Sequence, residues 1–210
     1  MKKIDMEKPK AEQKKEIVKP SLEQLKAELR HEKRKIEYRK AFRGTCFVLL
    51  AVAAAAVLIS SFFLTVLKVS GDSMSPSLEL GQIVVAHNSE KFKPGEMIAF
   101  YFNNKVLVKR VIGSPGDWID IDENGVVKVN GVELDEPYLK ERSQYADSSS
   151  ESDKVSFPYQ VPESRYFVLG DNRTVSIDSR STVVGCVSKE QLIGKLILRV
   201  YPFKAFGRLN

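Results

Sequence analysis

The residues of this chain with the most to offer chemically are one serine and one lysine. Ser73 lies in Gly71-Asp72-Ser73-Met74-Ser75-Pro76, a few residues beyond a charge-free apolar run, residues 44–67. A serine hydroxyl is a poor nucleophile until a neighbouring group removes its proton, so everything turns on the base that the fold brings to it. His87 is the single histidine beyond the apolar run, in Val85-Ala86-His87-Asn88-Ser89, where a strand end meets a polar turn. That is a surface context. Lys109 is the alternative, in Lys105-Val106-Leu107-Val108-Lys109-Arg110-Val111-Ile112. A strand puts successive residues on opposite faces, so Lys109 shares a face with Leu107 and Val111, and Arg110 turns the other way with Val106, Val108 and Ile112. An amine among apolar neighbours loses hydration, and full burial lowers its pKa by several units from about 10.4. An amine neutral at about pH 7–8 is a competent general base. An edge-strand lysine that carries its ammonium out to water reads the same way, and this stretch alone does not separate the two.

The elements that must position these groups begin with the apolar run. Its 24 residues, Gly44 to Leu67, give roughly 36 Å of helix, enough to cross a ~30 Å hydrocarbon core with some tilt. A buried core helix is rarely apolar on every face, and a cleavable signal peptide has a shorter apolar region and a shorter leader than the 43 residues here. The run predicts an uncleaved transmembrane helix, and Ser73 then sits close to the bilayer surface.

The net charge of +6 is unevenly placed: residues 1–43 hold 15 Lys and Arg against 8 Asp and Glu, and the remainder 18 against 19. The basic excess is a juxtamembrane tail rather than a nucleic-acid surface, and such a tail stays cytoplasmic and is drawn to anionic lipid. The expected division is a cytoplasmic basic tail over 1–43, a transmembrane helix over 44–67 and an extracytoplasmic domain over 68–210. Cys46 falls in the apolar run and Cys186 in the outer domain, which speaks against a disulfide between them. Neither cysteine has a metal-ligand neighbour at useful spacing, so no metal and no cofactor is expected.

Within the tail, residues 1–20 are Lys/Glu-rich and read as disordered. Ser21 and Gln24 read as a capping box, after which Leu22, Leu25, Leu29 and Ile36 form a narrow apolar stripe on a charged helix. Beyond Leu67 the signals become β: residues 83–85, 97–102, 106–112, 118–122, 126–129, 165–169 and 192–200 are β-branched or aromatic and bounded by Gly, Pro and Asn. Asn124-Gly125 and Asn130-Gly131 are hairpin turns. Asp147 to Asp153 is a polar low-complexity stretch that reads as a mobile loop. The fold class is mainly β, an antiparallel domain on a single N-terminal membrane helix.

Three segments together are similar to the signature segments of the bacterial type I signal peptidases, of the Gram-positive-like kind. They are Gly71-Asp72-Ser73-Met74-Ser75-Pro76-Ser77-Leu78, Lys109-Arg110-Val111-Ile112-Gly113-Ser114-Pro115-Gly116-Asp117 and Gly170-Asp171-Asn172-Arg173-Thr174-Val175-Ser176-Ile177-Asp178-Ser179-Arg180. They stand in that family's order behind an N-terminal anchor, and the resemblance runs from about Val69 to Lys195. It implies Ser73 as nucleophile, Lys109 as general base and Ser176 as the residue that hydrogen-bonds and orients the lysine. It further implies that Asp178 and Arg180 support that loop, and that Met74 and Leu78 shape the small pocket beside the nucleophile. Where some members carry a serine that helps bind the oxyanion, this chain has Gly71. Gln82 and Ser77 replace the family's usual aspartate and threonine.

The function implied is a membrane-anchored Ser-Lys endopeptidase that removes signal peptides from exported pre-proteins. Its partners would be those signal peptides and the lipid bilayer, with the basic tail as the place for a contact with the export machinery. The cell membrane is the implied location, with the N-terminus cytoplasmic. Two alternatives belong to other classes. A catalytically silent membrane assembly module predicts loss of Ser73 or Lys109, and both are present. A self-cleaving Ser-Lys regulator needs a DNA-binding segment, for which the charged tail leaves no room.

Overall fold

The computed structural model describes residues 21–89, 91–146 and 150–209. The expectations for residues 1–20, and for Asp147 to Ser149 of the polar loop, lie outside the described residues. The chain divides into two units between Ala56 and Val57.

The capping box forms as expected: Ser21 N–H donates to Gln24 Oε1 at 3.0 Å and Gln24 N–H to Ser21 Oγ at 3.3 Å. From it α1 runs Leu22–Phe63 without a break at Gly44. The helix is long and apolar enough to cross a membrane, and Phe47, Leu50, Val57 and Phe62 stand exposed along it. The stripe residues Leu22, Leu25, Leu29 and Ile36 are exposed too.

The apolar run was expected to stay helical to Leu67, but α1 stops at Phe63 and Leu64–Lys68 is strand β1. Hydropathy does not register the change, because the segment stays apolar. The deciding term is a partner far along the chain: β2 (Ile83–His87) takes β1 antiparallel, Leu64 opposite His87 and Lys68 opposite Ile83. The last helical carbonyl is capped from the same strand end. Asn88 N–H donates to Phe63 O at 3.1 Å, and His87 Nδ1 lies 3.2 Å from that oxygen. His87 serves the helix end, not Ser73.

The remaining strands are β3 (Met97–Phe102), β4 (Lys105–Gly113), β5 (Trp118–Ile121), β6 (Val127–Val129), β7 (Val132–Glu133), β8 (Tyr159–Gln160), β9 (Arg165–Leu169), β10 (Val187–Ser188), β11 (Leu192–Tyr201) and β12 (Gly207–Arg208). All pair antiparallel. The larger sheet has the order β1-β2-β11-β3-β4-β9-β10, with β12 also on β11, and the smaller one β7-β6-β5-β8. The turn residues act as their chemistry requires: Asn103 and Asn104 join β3 to β4 with φ of 46° and 59°, and Asn130 and Gly131 join β6 to β7 with φ of 53° and 81°. Both pairs occupy the left-handed region that asparagine and glycine enter most readily.

Alternation explains how one sheet serves three apolar clusters. Met97 and Ala99 of β3 join Met74, Leu78, Val84 and Leu196, and Ile98 and Phe100 join Phe92, Val111 and Val168 on the other side. Phe167 and Leu169 of β9 pack with Ile112, Ile119 and Ile121, bringing the smaller sheet onto the larger. In β4, Val108 goes to the first cluster, Ile112 to the second, and Leu107 and Val111 to the third. The strand therefore alternates as the sequence predicts.

Candidate active site

Ser73 is placed by the turn that follows β1. Met74 and Leu78 anchor this turn in the first cluster, Leu78 N–H donates to Met74 O at 2.8 Å and Ser75 N–H to Asp72 O at 3.0 Å. The two apolar anchors differ in role: Met74 lines the cleft beside Ser73, while Leu78 is wholly buried and does not reach it. Lys109 comes from the middle of β4, opposite Ile98 of β3. Its Nζ donates to Ser73 Oγ at 2.7 Å. The residue is 2 % exposed, so the alternative of a solvated edge lysine is ruled out. Burial brings its pKa down from 10.5 to about 8; Asp178 pulls it up, Arg180 down and Asp171 up.

Two buried ion pairs hold the surroundings. Arg180 grips Asp178 through Nε at 2.8 Å and Nη2 at 2.9 Å, and also donates to the carbonyls of Arg173, Ser176 and Ser143. Burial alone would raise the Asp178 carboxyl, but Arg180, the Gly170 N–H and Lys109 outweigh it and hold it below the usual range. Arg110, on the face opposite Lys109, is held by Asp171 at 2.9 and 2.6 Å and donates to Gly95 O and to Ser77 Oγ. Ser77 therefore contributes to the site's frame, which the sequence did not suggest. Gln82 accepts from Arg199 at 3.2 Å, away from the dyad.

Ser176 is 1 % exposed, and its Oγ is the single buried side-chain polar atom without a hydrogen-bond partner among the described residues. The expected bond between Ser176 and Lys109 is not formed; the amine's bond goes to Ser73. The hydroxyl instead lies against Gly170, where an added Cβ would overlap it. A buried hydroxyl left unpaired costs roughly 1–3 kcal/mol, which marks this group as one to explain by function.

Beside the dyad is a cleft of about 680 Å³ lined by residues 66–71 and 105–108 with Ser73 and Met74. Its two walls are strand edges. β1 ends the larger sheet, and β4 pairs with β9 only from Arg110 onward. Gly71 lies on this wall, and a Cβ there would meet nothing within 4 Å. The opening suits an extended peptide, which main-chain hydrogen bonds to strand edges hold sequence-independently.

The Lys109 pKa sets a pH dependence. An amine can accept a serine proton only when neutral, so with Lys109 as the base kcat/KM should rise about tenfold per pH unit below the pKa and level off above it. A pH profile on a peptide substrate should show the ascending limb centred near 8. A limb near 10.5, the value of a solvated lysine, would exclude Lys109 as the base.

An antiparallel β domain that brings a buried lysine amine within 2.7 Å of a serine hydroxyl beside a strand-edged cleft has the parts of a Ser-Lys peptidase. The chain belongs to the signal peptidase family: the family model described as "Signal peptidase, peptidase S26" matches residues 42–201. Signal peptidase IB of Staphylococcus aureus (strain COL) is 34% identical over 179 residues, covering 75% of this chain and 90% of that protein. Signal peptidase I of Bacillus amyloliquefaciens is 32% identical over 180 residues, covering 83% and 96%. The crystal structure of a signal peptidase I from Enterococcus faecalis is 34% identical, covers 52% of this chain and 99% of that one, and superposes with a TM-score of 0.42.

Proposed function

We propose that this protein is a membrane-anchored serine endopeptidase that removes N-terminal signal peptides from exported precursors. The observation that carries the reading is the 2.7 Å contact between a buried lysine amine and Ser73 Oγ at the head of an apolar cleft. A precursor strand enters between β1 and β4. Neutral Lys109 takes the Ser73 proton as Oγ attacks the scissile carbonyl, and the resulting ammonium gives a proton to the leaving amine. Water, deprotonated by Lys109, then releases the acyl-enzyme. The Ser73 backbone N–H is the proposed oxyanion donor, since Gly71 brings no hydroxyl. Ser176, Asp178 and Arg180 are proposed to support Lys109, a role favoured by Arg180, which grips Asp178 and the Ser176 carbonyl, and by the Asp178 charge acting on the amine. Met74 is proposed to bound a shallow pocket for small residues, with Leu78 packed in the core that anchors the Ser73 turn. Incubating the full-length protein in detergent with a precursor, and sequencing the new N-terminus, tests the reading. No cleavage, or cleavage that survives Ser73→Ala, would overturn it.

The proposed topology keeps the basic tail in the cytoplasm, where a contact with the export machinery would be made, and the β domain outside. Protease added to intact spheroplasts should digest the β domain and spare a tag at Met1. Loss of the tag first would reverse the orientation.

A further inference from the structure

A second group of buried charge lies where the segment leaving β7 meets the Gly170-Asp171-Asn172-Arg173 turn. Glu136 and Arg173 form an ion pair with side chains 0% and 1% exposed, and Arg173 Nη2 and Nη1 both donate to the carboxylate. Arg173 Nε passes the constraint on, donating to Gly170 O at 3.1 Å. The other side of Gly170 is pinned as well, its N–H donating to Asp178 Oδ2 at 2.9 Å. Gly170 is the residue against which the Ser73 carbonyl and the Ser176 hydroxyl pack, and Asn172 N–H donates to Ser73 O at 3.0 Å.

The same segment also reaches the strand of the base. Tyr138 donates its hydroxyl to Glu136 at 2.9 Å, and its ring lies 4.0 Å from the Arg110 guanidinium. Arg110 is clamped by Asp171 and is the chain neighbour of Lys109. Residues 136–138 thus connect to both halves of the site, through Arg173 to the turn against Ser73 and through Arg110 to β4. A buried ion pair adds little net stability, because desolvation offsets the attraction. Its position is therefore better explained by what it holds in place.

We propose that Glu136, together with Tyr138, is a positioning residue for proton transfer between Ser73 and Lys109. It fixes Arg173 and with it the Gly170 carbonyl, and it fixes Arg110 beside the base. Neither residue touches substrate. The inference rests on the reading of Ser73 and Lys109 as the reacting pair.

The test separates positioning from stability. Glu136→Gln alone leaves Arg173 as an unpaired buried cation and lowers stability whatever its role. The double change Glu136→Met with Arg173→Met removes both charges and keeps apolar bulk, a replacement that is often neutral or stabilising. In the full-length enzyme the double variant should melt no lower than wild type, yet kcat on a precursor peptide should fall by about 10- to 100-fold with KM little changed, the scale expected for a misplaced reacting pair. The ascending limb of its pH profile should also move from about 8 toward 10.5 as Lys109 gains water. Tyr138→Phe keeps the ring and removes only the bond to Glu136, and should lower kcat by a smaller factor with the melting temperature unchanged. Wild-type kcat and pH profile in Tyr138→Phe and in a folded double variant would overturn the inference while leaving the dyad standing. If the double variant fails to fold, Tyr138→Phe alone decides. A wild-type enzyme that cuts no precursor would overturn the dyad reading and this inference with it.

Discussion

Ser73→Ala and Lys109→Ala should each lower kcat/KM on a signal-peptide substrate by about four orders of magnitude or more, the scale seen when one member of a nucleophile–base unit is removed. Their effects should not add: the double variant should be no slower than either single one, because each loss already stops the same proton transfer. Lys109→Arg should fail as completely. A guanidinium stays protonated at any accessible pH and cannot take the serine proton. Lys109→Met tests the other side of the argument. The amine is buried at a desolvation cost that brings its pKa to about 8, so an apolar chain of similar length should fold at least as stably while remaining inactive. Single-turnover assays with melting curves on the four single variants and the double one check this. Turnover near the wild-type rate in any of them would remove the Ser-Lys assignment.

What the sequence disclosed and what it withheld follow from the range of the interactions involved. Period-two alternation placed Lys109 and Arg110 on opposite faces of one strand, and the structure keeps them so, Lys109 turned to Ser73 and Arg110 to Asp171. Local turn chemistry likewise announced the hairpin at Asn130 and Gly131. Hydropathy placed the long apolar helix but not its end, because Leu64 to Leu67 are as apolar as the helix before them. Only the edge of β2, supplied from residues 83–87, draws them into a strand. The short strands β8, β10 and β12 were missed for the same reason, each two residues long and defined by its partner. Within the site, the resemblance to the signal peptidases pointed to the dyad and to the Asp178–Arg180 pair. Glu136 and Tyr138 carried no signal, since Asp135-Glu136-Pro137-Tyr138 reads as an ordinary polar turn. Nothing local shows that its carboxylate is buried against Arg173.

Gly170→Ala should also slow the enzyme severely, though less than loss of the dyad and although the added methyl takes part in no chemistry. The position needs no left-handed backbone; what it lacks is room. An added Cβ would overlap Ser176 Oγ and lie 2.5 Å from both Ser176 Cβ and the Ser73 carbonyl oxygen. The backbone is poorly placed to retreat. Its N–H is held by Asp178 at 2.9 Å and its carbonyl by Arg173 at 3.1 Å, both inside buried ion pairs. Ser73 itself is half-buried beside an open cleft, so of the atoms the methyl would meet, its carbonyl is the one expected to shift, within a turn that Met74 and Leu78 still anchor. Overpacking of this kind costs about 1–3 kcal/mol of stability, which a domain with three apolar clusters should survive. A displacement of roughly 1 Å in the nucleophile costs on the order of 100-fold in rate. The expected result is a folded enzyme with a modestly lower melting temperature and kcat reduced by about 100-fold or more. Adding Ser176→Gly removes the hydroxyl clash but not the contact with the Ser73 carbonyl, so it should restore stability more than rate. Wild-type kcat in Gly170→Ala would show that the turn yields without moving Ser73, and would break the link drawn between Gly170 and the nucleophile.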